Sequence, residues 1–151
     1  MTDILVLGVG NPLRRDDGVG PAVVAALSGQ LAGVDLSTCR GEGTALMQAW
    51  AGYASVILID AIKAGTPPGT VSLFEASETP LPKAPFRHSS HLFGVAEAVE
   101  TARALGDLPK QLWIVGVEAE DFGYGEGLSA PVAAAVPAAV QAIKEFLKEA
   151  R

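Results

Sequence analysis

The chain has 151 residues, 49% of them hydrophobic, and a formal net charge of −6. That length predicts one domain over residues 1–151 with a real core, and an acidic chain without a Lys/Arg stripe argues against nucleic acid as a partner. A lone Cys39 excludes an internal disulfide and a Cys-type zinc site and fits a reducing cytoplasm, no apolar run reaches the roughly 18 residues of a membrane span, and a strand beginning beside Met1 leaves no room expected for a signal peptide.

Ile4-Leu5-Val6-Leu7-Gly8-Val9-Gly10 reads as a buried first strand running into a glycine turn, ended by Asn11-Pro12. Gly18 to Leu31 carries a helical apolar pattern, with Pro21 early, where a first turn tolerates it. Val34 to Thr38 is a short second strand ending near Cys39, read as a small buried hydrophobe. Thr44 is the expected N-cap of a helix through Trp50. Ser55 to Asp60 is the most apolar strand and the expected centre of the sheet. Pro67-Pro68-Gly69 turns the chain into Thr70 to Phe74. That connection is too short for a helical crossover, so this strand is expected antiparallel to its neighbour or at an edge.

Glu75 to Arg87 reads as an irregular loop, and Ser90 to about Leu105 as a helix. Gln111 to Val117 is a fifth strand, followed by a glycine- and acid-rich loop, Glu118 to Gly127. Ser129 is the expected N-cap of a last helix, with Pro131 early and Pro137 a candidate kink. Alternating strands and helices in a chain this hydrophobic predict an α/β fold, a three-layer α/β/α sandwich with helices on both sheet faces.

In a parallel sheet the carboxyl ends of the strands share one edge, and ligands bind in the crevice there. Asp17 follows the first strand, Asp60 is expected to close the third, and His91 is expected to open a helix. Carboxylates and an imidazole at one edge suit a transition metal or acid–base chemistry. Asp60 is the sharpest of the three, because a carboxylate ending an apolar strand is costly unless paired, hydrogen-bonded or metal-bound. The adjacent acid Asp16 is expected to cap the helix while Asp17 faces the crevice. His88 and His91 are three apart, a spacing that on one helix makes a two-histidine metal face, but Ser89-Ser90 reads as a helix start and leaves His88 outside. The turn Gly8-Val9-Gly10-Asn11-Pro12-Leu13 departs from a dinucleotide fingerprint, which needs glycine at Leu13 and an acid where Cys39-Arg40 stands.

Taken in order, Gly8-Val9-Gly10-Asn11-Pro12-Leu13, Asp16-Asp17-Gly18-Val19-Gly20, Gly43-Thr44, Ile59-Asp60-Ala61, Ser90-His91-Leu92-Phe93-Gly94, Val115-Gly116-Val117 and Gly127-Leu128-Ser129 resemble the hydrogenase maturation proteases. Any one piece is weak; the ordered set is specific and runs over almost the whole chain. The resemblance implies an α/β/α sandwich with a twisted, mostly parallel five-stranded sheet. It implies an endopeptidase that trims the C-terminal extension of the nickel–iron hydrogenase large-subunit precursor. It also implies that Asp17, Asp60 and His91 are the site residues, binding the nickel already seated in that precursor and sharing in catalysis, with no permanent cofactor. Some family members carry glutamate at the position of Asp17, Arg15 stands where many have a small residue such as glycine, and His88 matches no family role. The expected protein is a cytoplasmic monomer that docks transiently on its precursor and touches neither nucleic acid nor membrane. Two other classes make different predictions: a non-catalytic, nickel-dependent assembly factor binds precursor without removing the tail, and a nucleotide-binding module is indifferent to Asp60 and His91.

Overall fold

The computed structural model describes residues 3–87 and 92–150. Five strands form one sheet: β1 (Ile4–Val9), β2 (Asp35–Cys39), β3 (Ser55–Ile62), β4 (Val71–Glu75) and β5 (Gln111–Glu118). Their order is β2-β1-β3-β5-β4. All neighbours pair in parallel except β4, which runs antiparallel to β5 at an edge, so both features expected of that strand hold. The helices are α1 (Val19–Leu27), α2 (Gly43–Trp50), α3 (Val95–Leu105) and α4 (Ala130–Ala150).

The strand period of two splits the core into two layers. Leu5, Leu7, Val56, Leu58, Leu112 and Ile114 face α2 and α3, packing on Leu46, Trp50, Val95 and Val99. Val6, Ile57, Ile59, Val115 and Val117 face the other way, onto Val19, Val23 and Leu27 of α1 and Val132, Ile143 and Leu147 of α4. The expected α/β/α sandwich is therefore the observed one. By length and composition α4 is apolar enough to cross a membrane, yet its stripe of Val132, Ala139, Ile143 and Leu147 is spent on the sheet.

Element ends moved where side chains and neighbours outvote local pattern. Strand β3 does not stop at Asp60; it continues to Ile62 because β5 supplies partners as far as Glu118. Helix α1 stops at Leu27, where Ser28 turns to ψ 127°, short of the expected Leu31. Helix α2 starts at Gly43, and the cap is Glu42, not Thr44; the Glu42 carboxylate accepts N–H bonds from Thr44 and Ala45, each at 3.0 Å. Gly43 stands there because a Cβ would lie 2.1 Å from the Phe93 ring. Helix α3 begins at Val95 rather than Ser90, and the Glu97 carboxylate accepts the Gly94 N–H at 3.0 Å. The start at Val95 removes the expectation that His91 opens the helix, and His88 and His91 themselves lie outside the described residues. Cys39 ends β2, as expected, but it is half-buried against the core rather than buried.

Candidate active site at the carboxyl edge

β1, β2, β3 and β5 are parallel, so their carboxyl ends share one edge. The first turn there is tightly packed. Gly10 has φ +137°, and a Cβ on it would lie 1.8 Å from the Asp17 carbonyl oxygen. The Asn11 N–H donates to Asp17 Oδ2 at 2.8 Å, which anchors that carboxylate to the turn it follows. Gly20 brings α1 against both central strands; a Cβ there would sit 2.5 Å from the Ile59 carbonyl oxygen and from Val9 backbone atoms.

Asp60 is two residues before the end of β3, opposite Gly116 of β5, and only 5% exposed. It shares strand parity with Val56, Leu58 and Ile62, which face α2 and α3. Burial pushes its carboxyl well above the usual range, the negative charge of Asp17 pushes the same way, and the Ala61 N–H opposes both. Desolvation and a like charge favour the protonated form. Asp17 and Asp60 thus come close at one edge, where burial and the charge of Asp17 both raise the Asp60 pKa. Among the described residues no set of three His, Cys, Asp or Glu side chains gathers as a metal site. The residues flanking the undescribed segment 88–91 are tied to this same edge: Lys63 N–H donates to the Pro85 carbonyl at 2.9 Å, and Gly43 N–H to the Phe93 carbonyl at 2.7 Å.

Asp16 does something the sequence did not disclose. It is fully buried and caps no helix; α1 has Gly18 at its N-cap without a side-chain bond. Its Oδ2 accepts from Glu120 N–H, Asp121 N–H and the Ser129 hydroxyl, at 2.8, 2.9 and 2.8 Å, and its Oδ1 accepts from Ser129 N–H at 2.7 Å. Burial opposes its ionisation, and the Ser129, Asp121 and Glu120 N–H donors with the Ser129 hydroxyl outweigh that, so its pKa is lowered. Asp16 therefore fastens the turn carrying Asp17 to the loop between β5 and α4. Ser129 does precede α4, its carbonyl accepting the Ala133 N–H, but its hydroxyl serves Asp16.

Arg15 reinforces that junction. Its φ of +48° makes it the one non-glycine residue with positive φ among the described residues, which explains why a glycine is at ease there. Its guanidinium lies 3.7 Å from Asp121 and donates to the Glu126 carbonyl at 3.2 Å. Glu118, expected in a loop, ends β5 with its carboxylate buried, accepting from Ala64 N–H, Gly65 N–H and the Thr66 hydroxyl. Neither latch has a sequence signal of its own, because the donors come from segments remote in the chain.

Three comparisons with known proteins agree. The family model described as "Hydrogenase maturation protease" matches residues 35–146. The hydrogenase 2 maturation protease of Escherichia coli K12 is 34% identical over 97% of this chain and 91% of its own. The hydrogenase expression/formation protein HupD of Rhizobium leguminosarum is 33% identical, covering 96% of this chain and 74% of that one. Among solved structures, the hydrogenase maturating endopeptidase HybD from E. coli superposes with a TM-score of 0.83 at 32% identity, covering 99% of this chain and 94% of its own.

Proposed function

The chain belongs to the hydrogenase maturation protease family, and from that premise we propose that it removes the C-terminal extension of the nickel–iron hydrogenase large-subunit precursor after nickel insertion. Asp17, Asp60 and His91 sense the inserted metal and share in the cleavage. The observation that carries this reading is the approach of Asp17 to a buried Asp60, whose pKa is raised by burial and by that neighbouring charge. A cation bound by both carboxylates offsets the cost of burying their charge and relieves the like-charge repulsion. Nickel seated in the precursor is such a cation, and it brings the remaining ligands with it. The site is complete only on a metallated partner, which is specificity by assembly.

Peptide hydrolysis also needs an attacking water and a proton for the departing nitrogen. A carboxylate beside a protonated carboxyl offers an acceptor for the first and a donor for the second. The working protein on this reading is a cytoplasmic monomer that meets its precursor transiently. The test mixes purified protein with nickel-loaded precursor and follows loss of the tail by mass spectrometry. His91→Ala should abolish tail loss with the fold intact, and His88→Ala should be far milder. A well-folded His91→Ala protein that trims normally would remove His91 from the site. Nickel-dependent binding without trimming would favour the assembly-factor reading.

A further inference from the structure

The rim of the crevice is unlike its floor. Leu13 and Tyr124 are among the exposed large apolar side chains, Tyr124 at 93%, and the Gly125 N–H bond to the Leu13 carbonyl at 2.8 Å sets them side by side. Leu92 is fully exposed just before Phe93, on the far side. Arg40, Lys63 and Arg87 are exposed at the same edge, following β2, β3 and the Pro85 turn. Lys63 joins the two sides, its N–H on the Pro85 carbonyl and its Nζ 5.9 Å over the Phe122 ring. No ion pair to Arg40, Lys63 or Arg87 is formed among the described residues. Of the nearby acids, Glu42 bonds the start of α2 and Asp121 faces Arg15, while Glu120 and Glu126 are exposed on the same loop as Tyr124.

We propose that this rim is the docking surface for the precursor, and that the segment it holds carries apolar side chains for Leu13, Tyr124 and Leu92 and acidic side chains for Arg40, Lys63 and Arg87. The inference rests on the proposed function for the partner's identity. Its chemistry follows from the rim. Apolar groups spread over three loops fit a polypeptide surface rather than a small molecule. Three exposed cations without an ion pair among the described residues select acidic side chains on the partner, although the protein's own net charge is −6.

The experiment measures binding and trimming of nickel-loaded large-subunit precursor in parallel. Arg40→Glu/Arg87→Glu should raise Kd about tenfold and flatten the weakening of binding between about 50 and 300 mM salt. Leu13→Ser/Tyr124→Ser should raise Kd about tenfold while leaving the salt dependence in place. Lys110→Glu/Lys148→Glu makes the same change in net charge away from the rim, and should bind like the unsubstituted protein. Rim variants that fold and bind as tightly as the unsubstituted protein would overturn the proposal, as would equal weakening by the Lys110/Lys148 control. Salt-dependent binding that the rim variants abolish, without tail removal by any form, would uphold the docking surface and overturn the protease reading instead.

Discussion

Two neighbouring aspartates, Asp16 and Asp17, divide structure from chemistry. Asp17 stays at the crevice, half-buried, while Asp16 is fully buried under four donors. Asp16→Asn puts an amide NH2 where one of those oxygens accepts, setting donor against donor. The expected loss is about 2–3 kcal/mol of stability, read as a lowered denaturant midpoint, with reduced trimming because the Asp17 turn loosens. The pH sign follows from its lowered pKa: the Asp16 contribution is present above the ordinary aspartate range and lost as pH falls through the folded-state value. Asp60 has the opposite sign. Its raised pKa makes folding most favourable when it is protonated, and stability falls as pH rises from the unfolded-state value through the folded one. Asp60→Asn should therefore raise Tm at neutral pH, by about 2–4 °C, while losing processing. A scan showing an unchanged or lowered Tm for a folded Asp60→Asn protein would contradict the burial argument. The sequence exposed Asp60 through its apolar context alone; Asp16 was misjudged because its partners lie more than 100 residues downstream.

The type of each main strand and helix was legible from period and punctuation, and their ends were not. Ends are decided by contacts between segments: Glu118 pairing prolongs β3, the Phe93 ring requires Gly43, and Glu97 meets Gly94 to start α3. The same contacts make certain glycines irreplaceable. Gly20 lies inside α1, where intrinsic propensity favours alanine by about 1 kcal/mol. Packing reverses that preference, because a Cβ would press on backbone atoms of Val9 and Ile59 that cannot rotate away. Gly20→Ala should cost about 3 kcal/mol or more, since α1 must lift from both central strands and from the turn bearing Asp17. Gly29→Ala meets no atom within 4 Å, and there only the φ of +78° resists the substitution. Its destabilisation should be about 1 kcal/mol, so urea midpoints of the two variants should separate clearly.

At the scale of the whole molecule, the sheet order β2-β1-β3-β5-β4 sets the site in place. It puts the ends of β1 and β3 next to each other, so Asp17 and Asp60 meet although 43 positions apart by number. The fold class was readable in the chain, as was the placing of Asp17 and Asp60 at one edge; the raised Asp60 pKa was not, because it depends on burial that only the packed sheet creates. That raised pKa makes the working order testable. Burial and the nearby charge of Asp17 both favour the protonated form of Asp60 in the free protein. On the proposed reading, a metal arriving with the precursor competes with protons at Asp60. Nickel-loaded precursor should therefore bind more tightly as pH rises through the raised Asp60 pKa, releasing a proton that calorimetry in two buffers of different ionisation enthalpy detects. Precursor without nickel should bind weakly, release no proton and keep its tail. Adding a divalent metal to the free protein should not substitute, because the donors of this chain alone leave the coordination incomplete. Equal cutting of apo and nickel-loaded precursor would remove metal sensing and leave a peptidase directed by sequence alone.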